Sequence, residues 1–571
     1  MATQFDYLTP PPKRENRGSS KIWIRVFSNV ASFLFVYCIM VGSLFYELGQ
    51  RIAGIATDKT KDNTMPNFTP RQPYKNIKKM KISNDLRFYA QEIDLDLEVF
   101  KITTEDGFIL TLHHLFDPKE TQEQKDARTP ILLQHGLLSC SGAFLTAGHN
   151  SLACYFQEEG YDVWLGNNRS WFEAVHSEYE GNLKHNEKYW DWDVRDFAYY
   201  DLPCIIDNVL SHKPNHTQLI LGGHSQGCTQ TVLLLKNGNF PEHSHKLKAV
   251  FFLCPAIFPG SLFHHRTFIK FIHAMGPTTY KFFFGKTAFL PILGWARRNL
   301  YHTTLFGWTS YLMFKYLFGW NSSKWGSDKK IWHIHFVFNV SYVSTKLMNW
   351  WLSEWVPEGF SNQLLPKKAY MSEEHCAFTP VNSAADAMEA EQASVVALEE
   401  AEAELPVNGE LIDDSKTFFP YKREWFGLDE KINTVPMLIF TGKLDYLVDG
   451  DRLASHMRHY ESAYQEGSNL KIVELDDYSH LDVVWSEDAI GRVGYVVHDM
   501  IKGLGSKEVT ENEKVIVPEV AQPSTTANPT DSLSIPKENG ISKKLKERQV
   551  ASDISEKKES STLPSRFEVT V

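Results

Sequence analysis

Short apolar runs of strand length recur along this chain, separated by segments long enough to form helices. Residues 98–103 alternate in polarity, a Glu105-Asp106-Gly107 turn follows, and 108–115 return as a second apolar segment, so the pattern predicts a hairpin. Later apolar runs end in polar or glycine-containing loops, at 130–134, 161–165, 219–223, 247–253, 435–441 and 470–475. This arrangement predicts an α/β fold with a mostly parallel sheet and functional residues at the carboxyl ends of its strands.

An uncharged segment lies close to the N-terminus. Residues 26–46 carry no charged side chain and would form a helix of about 31 Å, which is enough to cross a hydrocarbon core. A cleaved signal peptide is the alternative, but its apolar core is usually about 7–15 residues long, and Tyr46-Glu47-Leu48 offers no small-residue cleavage site. We predict a retained membrane helix at 26–46, preceded by a basic segment at 1–25 and followed by a tether at 47–85.

The rest of the chain divides by composition. Aromatic residues supply 26 of the 100 residues from 261 to 360, which predicts a helical cap at 261–383 whose surfaces meet lipid. The alternative is a helical subdomain with a large aromatic core. Residues 384–415 contain acidic residues and no Lys or Arg, so we predict an acidic insertion there. Residues 505–571 are dominated by Ser, Thr, Pro, Lys and Glu, so we predict a disordered tail. The core of the fold would comprise 86–260 and 416–504.

Charge and cysteine content exclude some functions. The formal net charge of −11 argues against a general nucleic-acid-binding protein. The seven cysteines are scattered and no pair has metal-ligand spacing, so most are expected to be small buried residues, although one disulfide stays open.

The candidate nucleophile is Ser225, at the centre of Gly223-His224-Ser225-Gln226-Gly227. This pattern, G-x-S-x-G, is typical of a sharp turn between a strand and a helix that exposes a serine, and the turn needs small residues two positions to either side. The pattern alone is weak, because a glycine-rich turn can contain an incidental serine. What strengthens it is the order of the residues that follow, since Asp445 comes after one predicted strand and His480 after the next.

These residues predict a catalytic triad. His480 would accept the proton of Ser225, and Asp445 would orient the imidazole and stabilise its cation, with Asp449 and then Asp482 as alternatives for the acid. The oxyanion hole would use the backbone N–H groups of Gln226 and Leu137, and His135 would stabilise the loop before Leu137. No cofactor or metal ion is expected, because a serine triad requires none.

At these residues the chain resembles the acid lipase family, which contains gastric and lysosomal acid lipases. The resembling segments are Thr104-Glu105-Asp106-Gly107-Phe108-Ile109-Leu110, Leu133-Gln134-His135-Gly136-Leu137-Leu138, residues 160–167, Tyr200-Asp201-Leu202-Pro203, the motif around Ser225, and His480-Leu481-Asp482. Within the family it is most similar to the yeast membrane-anchored steryl ester hydrolases, on Asn167-Asn168-Arg169, Trp190-Asp191-Trp192-Asp193, residues 346–351 and Leu447-Val448-Asp449-Gly450. It departs from the digestive and lysosomal members at Ser170, where they usually have Gly, and in its acidic insertion and long tail.

The resemblance implies an α/β-hydrolase fold and a serine ester hydrolase that cleaves steryl esters. A triacylglycerol lipase, an acyltransferase and a non-catalytic membrane scaffold are the alternatives. The expected partners are a lipid substrate and a membrane or lipid-droplet surface, with no prediction for protein partners. Location would be a lipid droplet, the endoplasmic reticulum or the plasma membrane.

Basic residues before the predicted helix favour a cytosolic N-terminus, so a spanning helix would place the hydrolase outside the cytosol. Glycosylation acceptor patterns would then be exposed, at Asn67, Asn168, Asn215, Asn321 and Asn339. The alternative is attachment to a lipid droplet. Its single phospholipid layer cannot hold a straight spanning helix, so the apolar segment would have to turn back within the layer. The uncharged segment, which has no central proline, favours the spanning arrangement.

Overall fold

The computed structural model describes residues 22–52, 65, 68–320, 322–356, 358–363, 418–420, 424–426 and 434–513. The predicted acidic insertion at 384–415 lies outside the described residues. So do most of the basic N-terminal segment and all of the predicted tail after Glu513. The predicted domain boundaries therefore stay predictions.

A mixed sheet of eight strands organises the described residues, in the order β1-β2-β4-β3-β5-β6-β7-β8. The strands are β1 (Asp96–Thr103), β2 (Ile109–Phe116), β3 (Pro130–Gln134), β4 (Asp162–Gly166), β5 (Leu219–His224), β6 (Leu247–Leu253), β7 (Met437–Gly442) and β8 (Leu470–Leu475). β1, β2 and β4 pair antiparallel, whereas β4, β3 and β5 to β8 pair parallel. This confirms the predicted α/β class, with its N-terminal hairpin and mostly parallel sheet.

Apolar side chains cover both faces of the sheet, which explains why its central strands read as continuous apolar runs. In β3, Ile131 and Leu133 pack into the core on one face and Leu132 into the core on the other, all three fully buried. The loops at the strand ends are therefore held by a rigid support on both sides.

Helices surround the sheet and continue beyond it. The described α-helices are α1 (Ile22–Ile52), α2 (Leu86–Gln91), α3 (Gln122–Ala127), α4 (Leu152–Glu158), α5 (Val194–Asp196), α6 (Leu202–Ser211), α7 (Gln226–Leu235), α8 (Pro241–Ser244), α9 (Leu262–His265), α10 (Thr267–His273), α11 (Pro277–Phe284), α12 (Pro291–Leu300), α13 (Thr304–Phe318), α14 (Lys329–Val337), α15 (Thr345–Leu352), α16 (Gly450–His459), α17 (Asp482–Trp485) and α18 (Tyr495–Glu513). The helices α9 to α15 lie between β6 and β7 in the chain, where the cap is predicted.

The aromatic residues of this region fall into two groups. Trp350 and Trp351 of α15 are buried, in a core that continues into the sheet, whereas Trp295 of α12 and Trp308 of α13 are 52% and 47% exposed. One group therefore forms a buried core and the other an outward apolar surface, and contact of that surface with lipid stays a prediction.

Residues 68–85, which lie within the predicted tether, pack against the core. Tyr74, Ile77 and Met80 are buried against the core, and the Tyr74 hydroxyl donates a hydrogen bond to the carbonyl of Thr146 at 2.9 Å. The prolines and basic residues of this segment predict a tether, and no pattern in the sequence indicates that these three apolar residues are buried. α1 also continues six residues past the predicted end of the membrane helix, to Ile52.

Among the described residues, one helix, Arg25–Ile52, is long and apolar enough to cross a membrane by length and composition. The acceptor asparagines predicted for glycosylation differ in their exposure. Asn215 is exposed, but Asn168 and Asn339 are buried, and Asn67 and Asn321 lie outside the described residues. A buried asparagine is not accessible for modification in the folded protein, so the expectation is wrong for Asn168 and Asn339.

A buried arginine joins the hairpin to the loop that follows β4. The Arg169 guanidinium has no exposed surface and donates hydrogen bonds to Asp106, in the hairpin turn, and Asp201, before α6. Asp196 lies 3.6 Å away, and the guanidinium also stacks on the ring of Phe108. Burial raises the pKa of Asp201 to about 6, although Arg169 opposes that rise.

We predict that Arg169→Ala lowers the free energy of unfolding by about 3–5 kcal/mol, because it leaves buried carboxylates without their cation. Chemical denaturation of the detergent-solubilised protein measures this loss. Lys75→Ala, which removes the exposed ion pair with Asp94, is the matched control and should leave the midpoint unchanged. Equal midpoints for the two variants would contradict the structural role of Arg169.

Candidate active site

Ser225 occupies the turn between β5 and α7. Its backbone has φ 54° and ψ −116°, a left-handed conformation that is costly for a residue with a side chain. The Ser225 N–H donates to the carbonyl of Leu253 on β6, and Cys228 N–H donates to the carbonyl of Ser225. Sheet and helix therefore hold the strained residue from both sides.

The glycines around Ser225 are required by close backbone contacts. A Cβ atom at Gly227 would lie 2.4 Å from the carbonyl oxygen of Gln134, and one at Gly223 would lie 2.8 Å from the N atom of Cys228. A Cβ atom at Gly136 would lie 2.9 Å from that of Ser225. The turn thus accepts no side chain at these three positions, which is the physical reason for the G-x-S-x-G spacing.

The structure brings together the three residues predicted as a triad. Ser225 Oγ lies 2.9 Å from His480 Nε2, and His480 Nδ1 lies 2.7 Å from Asp445 Oδ2. The three residues are 6%, 2% and 9% exposed, so the row of hydrogen bonds is shielded from bulk water. The other Asp445 oxygen accepts the backbone N–H groups of Leu447 and Val448, which fixes the orientation of the carboxylate.

The alternative acids bind other groups. Asp449 caps the N-terminus of α16 by accepting the N–H of Arg452 at 2.9 Å, and burial raises its pKa. Asp482 accepts hydrogen bonds from Ser479 and from the indole of Trp325, and burial raises its pKa to about 6. Of the three carboxylates, only that of Asp445 is hydrogen-bonded to His480 in the described structure.

The loop predicted to supply one oxyanion donor packs directly against the nucleophile. His135 Nε2 accepts the N–H of Asn168, so Nδ1 carries the hydrogen that is donated to the carbonyl of Gly136. Burial lowers the pKa of His135 to about 4 and keeps the ring neutral. Leu137 borders the cavity above Ser225, and Gln226 is the first residue of α7, with its side chain held by Trp351. Their backbone roles stay predictions.

Several contacts at this site were not predictable from local sequence. Trp320, after α13, stacks parallel to the His480 ring with centroids 5.8 Å apart, and His224 Nε2 donates to the carbonyl of His480 at 3.0 Å. Burial lowers the pKa of His224 to about 3, so this ring stays neutral beside the predicted base. The sequence showed a histidine in the motif and an aromatic-rich cap, but gave no signal for either contact.

An apolar cavity opens above the Ser225 hydroxyl. Its empty space is about 810 Å³ when the open mouth is counted. Core and cap both contribute its walls. The core supplies Leu137, Leu138, Ala256 and Leu447, and the cap supplies Phe263, Phe268, Phe314, Phe318, Trp320, Met348, Trp351 and Phe360. The arrangement suits the long apolar chain of a lipid ester.

Within the described part of the chain, two groups of side chains have the composition of metal ligands. One is Cys254 with Asp445 and His480, but the hydrogen bond between Asp445 and His480 already occupies the facing atoms. The other is His149, Cys154 and Glu158, far from Ser225 in the chain, where Glu158 forms an ion pair with Arg71. Four of the six described cysteines are buried, in line with the expectation for most of them, and all six are free thiols.

Comparison with known proteins identifies the family. The partial α/β-hydrolase lipase region matches residues 86–148. Sterol esterase 2 of Saccharomyces cerevisiae is 33% identical over 444 residues, which cover 76% of this chain and 75% of that protein. This chain belongs to the acid lipase family of α/β-hydrolases. As a family member it is a carboxylic ester hydrolase.

Other relatives match over shorter segments. Gastric triacylglycerol lipase of Homo sapiens is 30% identical over 195 residues, which cover 34% of this chain and 47% of that lipase. Among solved structures, carboxylesterase CesB of Bacillus subtilis matches with a TM-score of 0.35 at 12% identity, covering 73% of this chain and 95% of that one. The family resemblance inferred from the motifs is therefore confirmed by the sequence relatives.

We predict that Gly227→Ala lowers kcat for a soluble ester such as p-nitrophenyl butyrate by about 100-fold, because the added methyl group displaces the turn that carries Ser225. Gly276→Ala is the matched control, since a Cβ atom at Gly276 meets nothing within 4 Å. Thermal unfolding of both variants separates a local displacement from loss of the fold. Full activity in folded Gly227→Ala would contradict this account.

Proposed function

We propose that this enzyme hydrolyses steryl esters, with Ser225, His480 and Asp445 as its catalytic triad. The observation that carries the proposal is the hydrogen-bonded row of these three side chains at the base of an apolar cavity. The named activity of Sterol esterase 2, which matches 76% of the chain, supports the substrate class.

The proposed reaction has two halves. In the first, Ser225 Oγ attacks the ester carbonyl carbon while His480 Nε2 accepts its proton, and His480 then returns that proton to the departing sterol oxygen. In the second, water attacks the acyl-Ser225 carbonyl while His480 Nε2 accepts its proton, and His480 then gives that proton to Ser225 Oγ as the fatty acid departs. Asp445 stabilises the imidazolium in both halves.

Backbone N–H groups of Gln226 and Leu137 are proposed to stabilise the negative oxygen of each tetrahedral intermediate. The close approach of Gly136 to Ser225 supports this role, because it brings the Leu137 loop beside the nucleophile. The buried setting strengthens such hydrogen bonds, since little water competes with them.

We also propose that the enzyme works at a membrane or lipid-droplet surface, held there by α1. The length and apolar composition of Arg25–Ile52 support this location. Since steryl esters are insoluble in water, an enzyme held at a lipid surface meets its substrate where the substrate collects.

We predict that Ser225→Ala, His480→Ala and Asp445→Asn each lower ester hydrolysis by about 10⁴-fold while the protein stays folded. Asp449→Asn is the matched control, because asparagine also caps a helix and the variant should keep activity within a few-fold. Loss of activity in Asp449→Asn with full activity in Asp445→Asn would move the acid to Asp449. Labelling of Ser225 by a fluorophosphonate probe should be lost in Ser225→Ala and much slower in His480→Ala, because the probe reacts with an activated serine. No labelling of the wild type would favour a non-catalytic scaffold.

We predict faster hydrolysis of cholesteryl oleate than of triolein when the purified enzyme meets each in identical mixed micelles. The reason is the aromatic lining of the cavity, because flat aromatic faces pack well against a rigid apolar ring system. Release of oleate from each substrate measures the rates. A clear preference for triolein would replace the steryl ester proposal with a triacylglycerol lipase, and acyl transfer to an added alcohol in excess of hydrolysis would indicate an acyltransferase.

A further inference from the structure

Most of the residues that α1 buries are polar, and most of the residues that it exposes are apolar. Its buried residues are Ser28, Ser32, Ile39, Ser43 and Glu47, four of them polar, at spacings of four and seven that place them on one helical face. A helix on the surface of a water-soluble protein has the opposite arrangement.

The outward face of α1 is almost entirely apolar. Between Val26 and Leu48 its exposed residues are apolar or aromatic apart from Asn29, and they include Val30, Phe33, Leu34, Tyr37 and Phe45. So large an apolar area is characteristic of a surface that meets hydrocarbon. The sequestered serines and glutamate identify the cap as the partner of the other face.

The contacts between α1 and the cap extend along the whole apolar segment. Near its N-terminal end, Phe27 stacks on Phe282 of α11 with centroids 4.0 Å apart, and farther along Phe35 meets Phe284 edge to face. Near its C-terminal end, Tyr46 contacts Tyr316 of α13. From Phe27 to Tyr46 the contacts cover about 29 Å of helix.

An ion pair fixes the C-terminal end of this contact. Glu47 Oε2 lies 3.0 Å from Lys315 Nζ, and both side chains are only 9% exposed. Lys315 is the one charged residue in the sequence of α13. Phe314 and Phe318 of the same helix line the cavity above Ser225. α13 therefore contacts α1 with one side and the cavity with the other.

The cap carries positive charge although the whole chain is acidic. No Asp or Glu occurs in the sequence between residues 243 and 327, while the cap helices expose Lys270, Lys281 and Arg298 close to apolar residues. The exposed apolar residues of the same helices are Phe271, Phe282, Trp295, Leu305 and Trp308. Aromatic residues with neighbouring basic residues are typical of helices that lie in the interface of an anionic phospholipid layer.

We propose that α1 and cap helices α10 to α13 form one membrane-inserted surface, in which α1 lies along an anionic phospholipid layer instead of crossing a bilayer. This inference rests on the proposed attachment through α1 and specifies its geometry. A spanning α1 would carry the attached cap through the full hydrocarbon core, including Lys270, Lys281 and Arg298, and charged side chains are costly there. In the interfacial arrangement the same side chains reach the headgroups.

The first test measures depth and does not require turnover. An environment-sensitive fluorophore is attached to Cys38, on the outward face of α1, or to Trp308→Cys in a Cys38→Ser background, with Cys204 and Cys376 replaced by Ser. Val99→Cys, exposed on β1, is the matched control. The proteins are reconstituted in vesicles of phosphatidylcholine and phosphatidylserine that contain spin labels at shallow or deep acyl positions.

We expect quenching at positions 38 and 308 to be stronger with shallow than with deep spin labels, and position 99 to be unquenched. Stronger quenching of position 38 by deep labels, with position 308 unquenched, would establish a spanning α1 and overturn the proposal. Quenching at neither position would overturn both the proposal and the attachment through α1.

The second test uses charge. The substrate is cholesteryl oleate or triolein, whichever the enzyme hydrolyses faster, in vesicles that contain phosphatidylserine. We expect the double variant Lys281→Gln, Arg298→Gln to hydrolyse it about fivefold more slowly than the wild type at low salt. Lys119→Gln, exposed on the core, is the matched control and should have no effect. Hydrolysis of soluble p-nitrophenyl butyrate should stay unchanged in all three proteins, so a failure of the catalytic proposal would be recognised separately. Equal rates on neutral and anionic vesicles for wild type and double variant would overturn the anionic preference.

Discussion

The structure depends on a close fit of backbone around Ser225. Gly136, Gly223 and Gly227 each face an atom so near that a methyl group would overlap it, and Ser225 itself is held in a left-handed conformation. Such strain persists only where the surroundings fix it. Here β3 and β6 flank β5 in the sheet, α7 begins directly after the serine, and the layers on both faces are buried, so the turn cannot relax without disturbing the core.

Because this turn is fixed, the other site residues need only follow neighbouring strands. Asp445 comes after β7 and His480 after β8, and parallel pairing brings these strand ends to the edge where β5 ends. The two backbone N–H groups on Asp445 Oδ1 and the His224 bond to the His480 carbonyl then set side-chain orientation. Residues 35 and more positions apart in the chain are thus brought into a row by sheet topology.

This dependence explains which features were predictable from the sequence. Strands and the order of site residues follow from local apolar patterns and from one motif, so the sheet and the juxtaposition of Ser225, Asp445 and His480 could be predicted. The burial of Tyr74, Asn168 and Asn339 depends on contacts with distant segments, which no local pattern encodes. The same holds for Trp320 and Trp351, whose aromatic character was visible but whose contacts with His480 and Gln226 required the folded cap.

The hydropathy of α1 shows most clearly what could not be predicted from the sequence. An uncharged run of this length indicates contact with hydrocarbon, yet hydropathy averages over all faces of a helix and does not show which face is already covered. The fold supplies that information, because the serines and Glu47 are buried against the cap while Phe33, Tyr37 and Phe45 are exposed. Because the polar face of α1 is buried against the cap, the face that remains exposed is mostly apolar. The cap that encloses the active-site cavity is therefore also the surface on which α1 rests, so any movement of α13 at a lipid surface acts directly on a wall of that cavity.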